Sequence, residues 1–393
     1  MISAQEIKDL ISKNNGILMA SSAKVFRQSY FGNNIIAPNS EPIPGKVDAR
    51  GYLPVELWIM STVEAENPIK VPGEGITNIL LGDSRVPLTH IEEVAGDFVF
   101  GQYSNKWPLT KILDIGGEKV KTSFGTQEVP PIPAHVHAGT ISSGKVQRPG
   151  KHEAYFFPPL DVNPYHKEVM AKTRIGLKPE TTKEEVKNKL KEFGQSDSMF
   201  ELLNEFEIEP MTGWSVPAGI LHAPGPYLTF EIQLPQDDYN LASWRLGERL
   251  SEPERQDRYQ KFVLRGLKNE DEYIDLLLDW QATTHKDFKN KYFHKPDIIE
   301  NGSWGRRMQI FFDTFYGEAW EILPGQTMKA SLKNVPIAGV IWSGQANING
   351  NHLSQKGLNE FLSIPNTNLI VSNPGDITLM IYTVEPIKNY PKN

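Results

Sequence analysis

Apolar and polar positions alternate in short bursts along most of this chain. The runs Pro54–Ser61, Asp97–Tyr103, Leu109–Ile115, Ala154–Phe157, Trp214–Pro217 and Tyr227–Leu234 read as strands. The 31 glycines and 29 prolines are scattered throughout the chain and punctuate these runs. Many short strands with frequent turns predict a β-sandwich or barrel. Two stretches break the pattern. In TTKEEVKNKLKEF, Thr182 can cap a helix, Glu185 closes a capping box, and Val186, Leu190 and Phe193 form one stripe. SMFELLNEF then reads as a second short helix. The larger interruption spans about Ser251 to His294, opened by Ser251, Pro253 and Glu254, with apolar faces from Phe262, Leu267, Ile274, Leu277 and Trp280.

After Asn301 the strand pattern returns in RMQIFFDTF, EAWEIL, MKASL, IAGVIW, NLIVS and ITLMIY. The expected class is therefore mainly β, as two β-barrel units with α-helical insertions. Residues 1–160 and 207–240 would form the first barrel and 161–206 a helical insertion. Residues 241–300 would form a helical linker region, and 301–393 the second barrel. No close internal repeat is visible.

Composition narrows the function classes. A net charge of −7 without long like-charge runs argues against nucleic acid, which needs a basic stripe. No cysteine is present, so disulfides and thiolate sites are excluded. The opening MISAQEIKDLISKN has no apolar core of a signal peptide, and no run reaches about 18 apolar residues. A cytoplasmic protein with no membrane partner is expected.

The chemistry concentrates in PAHVHAGTISSGKVQRPGKHEAYF. Residues i and i+2 of a strand share a face, so His135 and His137 can converge on one ion, and Lys151 and Glu153 share a face by the same rule. A fourth candidate, His222, follows a Pro217–Gly219 turn in GWSVPAGILHAPG. Imidazole and carboxylate suit Zn²⁺, while Fe, Mn, Co or Ni can use the same set. The bland alternative is three polar strand residues and a turn histidine. HxH alone would favour it; HxH, a downstream Glu and PxGxxH in this order favour one divalent metal. The segment after Asn301 has only His352 and is expected to be metal-free.

In this order the motifs resemble those of the cupin superfamily, whose barrels are jelly rolls. The wide gap from His137 to Glu153 resembles the type I mannose-6-phosphate isomerases (phosphomannose isomerases). PVELWIMST, Lys151-His152-Glu153, GLKPETTKEEV and ELLNEFEIEPMTGWSVPAGILHAPGPYLTFEIQ resemble further segments of that family. The resemblance is good from about Gly51 to Gln233 and only architectural beyond. It implies two cupin-like barrels and a metal-dependent aldose–ketose isomerase working through an enediolate on a sugar or sugar phosphate. His135 stands where the family usually has Gln; His137, Glu153 and His222 match the other ligands.

In LTFEIQL, Glu231 shares a face with Thr229 and Gln233, and alternation leaves open whether that face meets solvent or the interior. The resemblance implies the interior, with Glu231 as the base. It also implies that Lys151 stabilises charge, against the alternative of a surface lysine in a turn. The family's substrate-contacting Arg would fall near Asn240. Arg245 is the candidate replacement for binding an anionic substituent, against the alternative of a packing residue. Several usual phosphate donors are missing, so an unphosphorylated or sulfonated sugar is an open alternative. Two other classes compete: a non-catalytic sugar-binding cupin and an Fe²⁺ oxygenase. The Glu spacing, the helical insertions and the EIQ strand disfavour the oxygenase. The oligomeric state is not legible.

Overall fold

The computed structural model describes residues 2–27, 48–50, 52–104, 106–114, 120–122, 125–127, 132–138, 140–143, 146–159, 172–225, 227–244, 249–331 and 334–388. The fold is mainly β, as the alternation predicts, with antiparallel sheets forming two barrel-like units. No helix among the described residues is long and apolar enough to cross a membrane.

Two sheets face each other in the first unit. One has seven strands, in the order Phe293–His294, Thr212–Val216, Glu153–Phe157, Leu228–Gln233, Leu109–Asp114, Leu53–Ile59 and Ala23–Arg27. The other has five: Leu203–Glu207, Lys172–Leu177, His222–Ala223, His135–Val136 and Asn240–Leu241. The second unit pairs a nine-stranded sheet with a four-stranded one. Its interior is closed by apolar side chains such as Trp320, Met328, Ile341, Phe361 and Ile381. Its one histidine, His352, is exposed on the strand Asn351–Ser354.

Strand pairing crosses the boundaries drawn from the sequence. Ile17–Ala20, Asn78–Leu81 and Ser84–Pro87 extend the nine-stranded sheet of the second unit, with Met19 opposite Phe361. Lys172–Leu177 and Leu203–Glu207, inside the segment expected to be helical, are strands of the first barrel. The helix Lys183–Lys191 between them carries the expected capping box. Thr182 N donates to Glu185 Oε2 at 2.7 Å, and Val186 and Leu190 are buried. SMFELLNEF is helical only as the 3-10 turn Ser198–Leu202; from Leu203 the chain pairs with its neighbour strand instead. Asp97–Tyr103 is not a strand. It closes the helix Leu88–Val99, whose buried Leu88, Ile91, Ala95 and Val99 recur at helical spacing, and then makes a 3-10 turn.

The two units meet across aromatic rings. Phe230 lies 5.5 Å from Phe311 and 5.3 Å from Tyr382, and Phe156 lies 5.4 Å from Tyr382, centroid to centroid. Every residue of the strand Leu228–Gln233 is buried. Phe230 and Ile232 belong to the core that continues into the second unit, so Thr229, Glu231 and Gln233 must face the barrel interior. This settles what alternation leaves open.

Phe230→Ala is expected to lower unfolding free energy by about 3–5 kcal/mol in urea denaturation, because the ring joins two packed units. A loss below about 1 kcal/mol would contradict this account of the interface.

Candidate active site

A cavity of about 150 Å³ opens between the two sheets of the first barrel. The five-stranded sheet and the turn beyond it bring the imidazoles. His135 and His222 face each other in register, and His137 follows the strand His135–Val136. The ligand nitrogens of His135, His137 and His222 lie within 4.8 Å of one another, and all three residues are buried. Their rings are 4.2–5.3 Å apart. This group could hold a metal ion.

Each imidazole is oriented by a backbone carbonyl. His135 Nδ1 contacts Pro133 O at 2.8 Å, His137 Nδ1 contacts Asp238 O at 2.7 Å, and His222 Nδ1 contacts Ile220 O at 2.8 Å. A carbonyl only accepts, so Nδ1 must carry the hydrogen and each Nε2 keeps its lone pair. Burial pushes His135 well below the usual histidine range, helped by His222 and His137. Burial likewise takes His137 down to about 4. Neutral imidazoles with outward lone pairs are the form that binds metal.

Glu153, on the seven-stranded sheet, points at the same spot. Its Oε1 lies 3.1 Å from His137 Nε2 and 2.5 Å from Lys151 Nζ. Its Oε2 accepts from Tyr155 Oη at 2.5 Å and lies 3.4 Å from His222 Nε2. Burial would raise the Glu153 carboxyl, but His137 and Lys151 hold it well below the usual range. His222 Nε2 is buried with no hydrogen-bond partner, and the carboxylate is its charged neighbour. Two acceptors facing each other are reconciled by a cation between them, so this donor set fits a divalent ion.

Behind this cluster lies a second charged group that sequence reasoning missed. Arg27 Nε meets Glu56 Oε1 at 2.7 Å, and Arg27 Nη2 meets Asp237 Oδ2 at 2.9 Å. Lys111 Nζ lies 3.3 Å from Asp237 Oδ1, 3.6 Å from Glu56 Oε2 and 4.9 Å from the centroid of the Trp58 ring. Trp58 Nε1 donates to Glu56 Oε2 at 2.6 Å. Burial works against Asp237 ionising, but Arg27 and Lys111 overcome it and depress its pKa. Burial works against the Lys111 charge too, and Glu56, Asp237 and Glu231 overcome it. These residues come from widely separated segments, and nothing local marks them. The one available signal is alternation: Lys111 sits opposite Glu231 in the neighbouring strand and opposite Trp58 in the next.

Glu231 lines the cavity and is only 4% exposed. Among the described residues it has no ion pair or hydrogen bond. Burial first, and repulsion from Glu153 second, push its carboxyl up to about 8 against the opposing Lys111 and Lys151. The structure thus brings together His135, His137, His222, Glu153, Lys151 and Glu231. Arg245 lies outside the described residues.

No family model matches the chain, and no curated protein matches it. Solved structures do. A protein from Archaeoglobus fulgidus assigned as a mannosephosphate isomerase superposes with a TM-score of 0.61 at 16% identity, over 94% of this chain and 98% of that one. The mannose 6-phosphate isomerase from Bacillus subtilis gives a TM-score of 0.61 at 16% identity, over 94% and 99%. A variant of phosphomannose isomerase from Salmonella typhimurium gives 0.59 at 11% identity, over 95% and 100%. The chain has the phosphomannose isomerase fold. At these identities the likeness is one of fold, and it spans both barrels.

The raised Glu231 pKa has a consequence for stability. Unfolded, this carboxyl ionises near 4.5; folded, near 8. Between these values the native state holds a proton that the unfolded state has released, so stability falls as pH rises through that window. Glu231→Gln removes the effect. In metal-stripped protein, the variant is expected to gain stability over the wild type steadily from about pH 5 to about pH 8, read by urea denaturation. A constant offset across that range would contradict the assignment.

Proposed function

We propose that the protein is a metal-dependent aldose–ketose isomerase acting on an aldohexose or an anionic derivative of one. The observation that carries this reading is the unpaired Glu231 carboxyl facing the same cavity as the histidine cluster. His135, His137, His222 and Glu153 would hold one divalent ion, with zinc the first choice for imidazole and carboxylate donors. Such an ion supplies Lewis acidity and a template for adjacent substrate oxygens.

The remaining work falls to the chain. Glu231 takes the proton from C2 of the aldose; the freed electron pair forms the C1–C2 double bond as the C1=O π pair moves onto O1, giving the enediolate. The same carboxyl then returns a proton to C1, while the O2 proton ends on O1 and C2 becomes the ketose carbonyl. A carboxyl with a pKa near neutrality is suited to both halves of this transfer. Lys151, against Glu153, and Lys111, across the sheet from Glu231, place positive charge where the enediolate develops negative charge. We place the protein in the cytoplasm, with a small sugar as its partner.

The test is a panel of neutral, phosphorylated and sulfonated aldohexoses with metal-replete protein. Turnover is expected for at least one, with solvent deuterium entering C2 of recovered aldose. Glu231→Gln should keep fold and metal content and lose about 10²–10⁴-fold in kcat. No isomerisation of any member would favour a sugar-binding role, and near-normal turnover in Glu231→Gln would reject the base.

A further inference from the structure

The chain passes between the two units at two neighbouring places. Ile17–Ala20 belongs to the nine-stranded sheet and Ala23–Arg27 to the seven-stranded one, with Ser21 and Ser22 between them. Leu53–Ile59 belongs to the seven-stranded sheet, and beyond Met60 the chain returns to the nine-stranded one at Asn78–Leu81. One side chain of the second unit reaches both crossings. Glu360 opens the strand Glu360–Ser363, opposite Ala20 on one side and Val340 on the other. It is 0% exposed. Its Oε2 accepts from Met60 N at 2.9 Å, 300 residues away in the chain. Its Oε1 is buried with no hydrogen bond.

Met60 depends on such contacts. It stands at φ 43°, in the left-handed region that a residue with a side chain adopts only where its surroundings hold it. Glu360 fixes its N–H, and Trp107 Nε1 donates to its carbonyl at 2.8 Å. The next amide, Ser61 N, donates to Thr77 Oγ1 at 2.9 Å. At the other crossing Asn359, the neighbour of Glu360, donates from Nδ2 to Ser22 Oγ at 3.1 Å and from its backbone N to Ala20 O at 3.1 Å.

No cation balances Glu360. The elements packed against it present Ala20, Ser22, Met60 and Val340, none of them titratable, and among the described residues it has no ion pair. Burial therefore pushes its carboxyl up to about 7, against the nearby Ser22 hydroxyl and the Met60 N–H.

We propose that Glu360 is a proton-linked clasp on the two crossings: the neutral acid holds them shut, and they open to water with release of its proton. Opened, this carboxyl ionises near 4.5; closed, near 7. Opening therefore becomes about 10-fold easier for each pH unit between those values and levels off above them. One crossing leads into the strand of Arg27, and the other leaves the strand of Glu56 and Trp58, so the clasp sets how firmly the charged group behind Glu231 is held. None of this depends on the isomerase reading.

Two measurements on the full chain test it. Glu360→Gln keeps the shape and the acceptor oxygen but never ionises, so the infrared difference between wild type and variant isolates this one carboxyl. At about pH 5.5 the difference is expected to show a protonated carboxyl; a carboxylate would overturn the proposal. Hydrogen exchange of the Met60, Ser61 and Asn359 amides, corrected for intrinsic rates, is the second readout. Their protection is expected to fall about 10-fold per pH unit from about pH 5 to about pH 7 in the wild type and to stay level in Glu360→Gln. Equal pH dependence in both proteins would overturn the clasp. So would a fall of the same size along the strand Thr327–Ser331, because whole-chain unfolding would then release the proton. A protein that isomerises no sugar yet gives both expected results keeps the clasp and loses the isomerase reading.

Discussion

The site depends on a charge balance that does not quite close. Four carboxylates, Glu56, Glu153, Glu231 and Asp237, are buried in one barrel with the cations Arg27, Lys111 and Lys151 around them. Burying a charge without a partner costs several kcal/mol, so the pairs form wherever geometry allows. Arg27 and Lys111 take Glu56 and Asp237, and Lys151 takes Glu153. Glu231 is left over. Its answer is to hold a proton up to about pH 8, which turns a cost in stability into a capacity for proton transfer. His135 and His137 follow the same logic: burial, with only the shared Glu153 to oppose it, holds both below the usual histidine range.

The second barrel explains why this surplus can be kept. Its aromatic face covers Phe230 and Phe156, so the strand bearing Glu231 is buried along its whole length. The two barrels also share a local device. In the first, Arg27, Glu56 and Trp58 form a bonded set; in the second, Arg307 Nε meets Glu318 Oε2 at 2.8 Å and Trp320 Nε1 donates to the same oxygen at 2.6 Å. The guanidinium lies 5.8 Å from the indole centroid in one and 5.9 Å in the other. The first barrel adds Lys111, Asp237 and the histidines and remains hollow. The second fills its interior with Trp320, Ile341 and Phe361 and has no comparable donors among the described residues.

Much of this was legible in the chain, and the reasons are physical. A two-residue repeat fixes which side chains share a face, so His135 with His137 and Lys151 with Glu153 could be grouped before any fold was known. The capping box at Thr182 and the Ser251, Pro253 and Glu254 opening located helix starts because both signals are local. What was not legible depends on distant contacts. The side of Glu231 is decided by the second barrel. The pairing of Ile17–Ala20 with Glu360–Ser363 joins segments more than 300 residues apart. Lys111 and Asp237 look like ordinary surface charges until the sheets close. LLNEF has helical composition, and only the neighbouring Lys172–Leu177 makes it a strand. The shared Arg, Glu and Trp set is not legible along the chain, because the Arg precedes the Glu by 29 residues in one barrel and 11 in the other.

Four buried side chains from two facing sheets would make one metal site beside the Glu231 carboxyl. The most direct measurement is anomalous scattering at the zinc edge from crystals of zinc-loaded protein. A single peak is expected in the first barrel, about 2.0–2.2 Å from Nε2 of His135, His137 and His222 and from a Glu153 oxygen. A peak elsewhere, or no bound zinc at full loading, would contradict it.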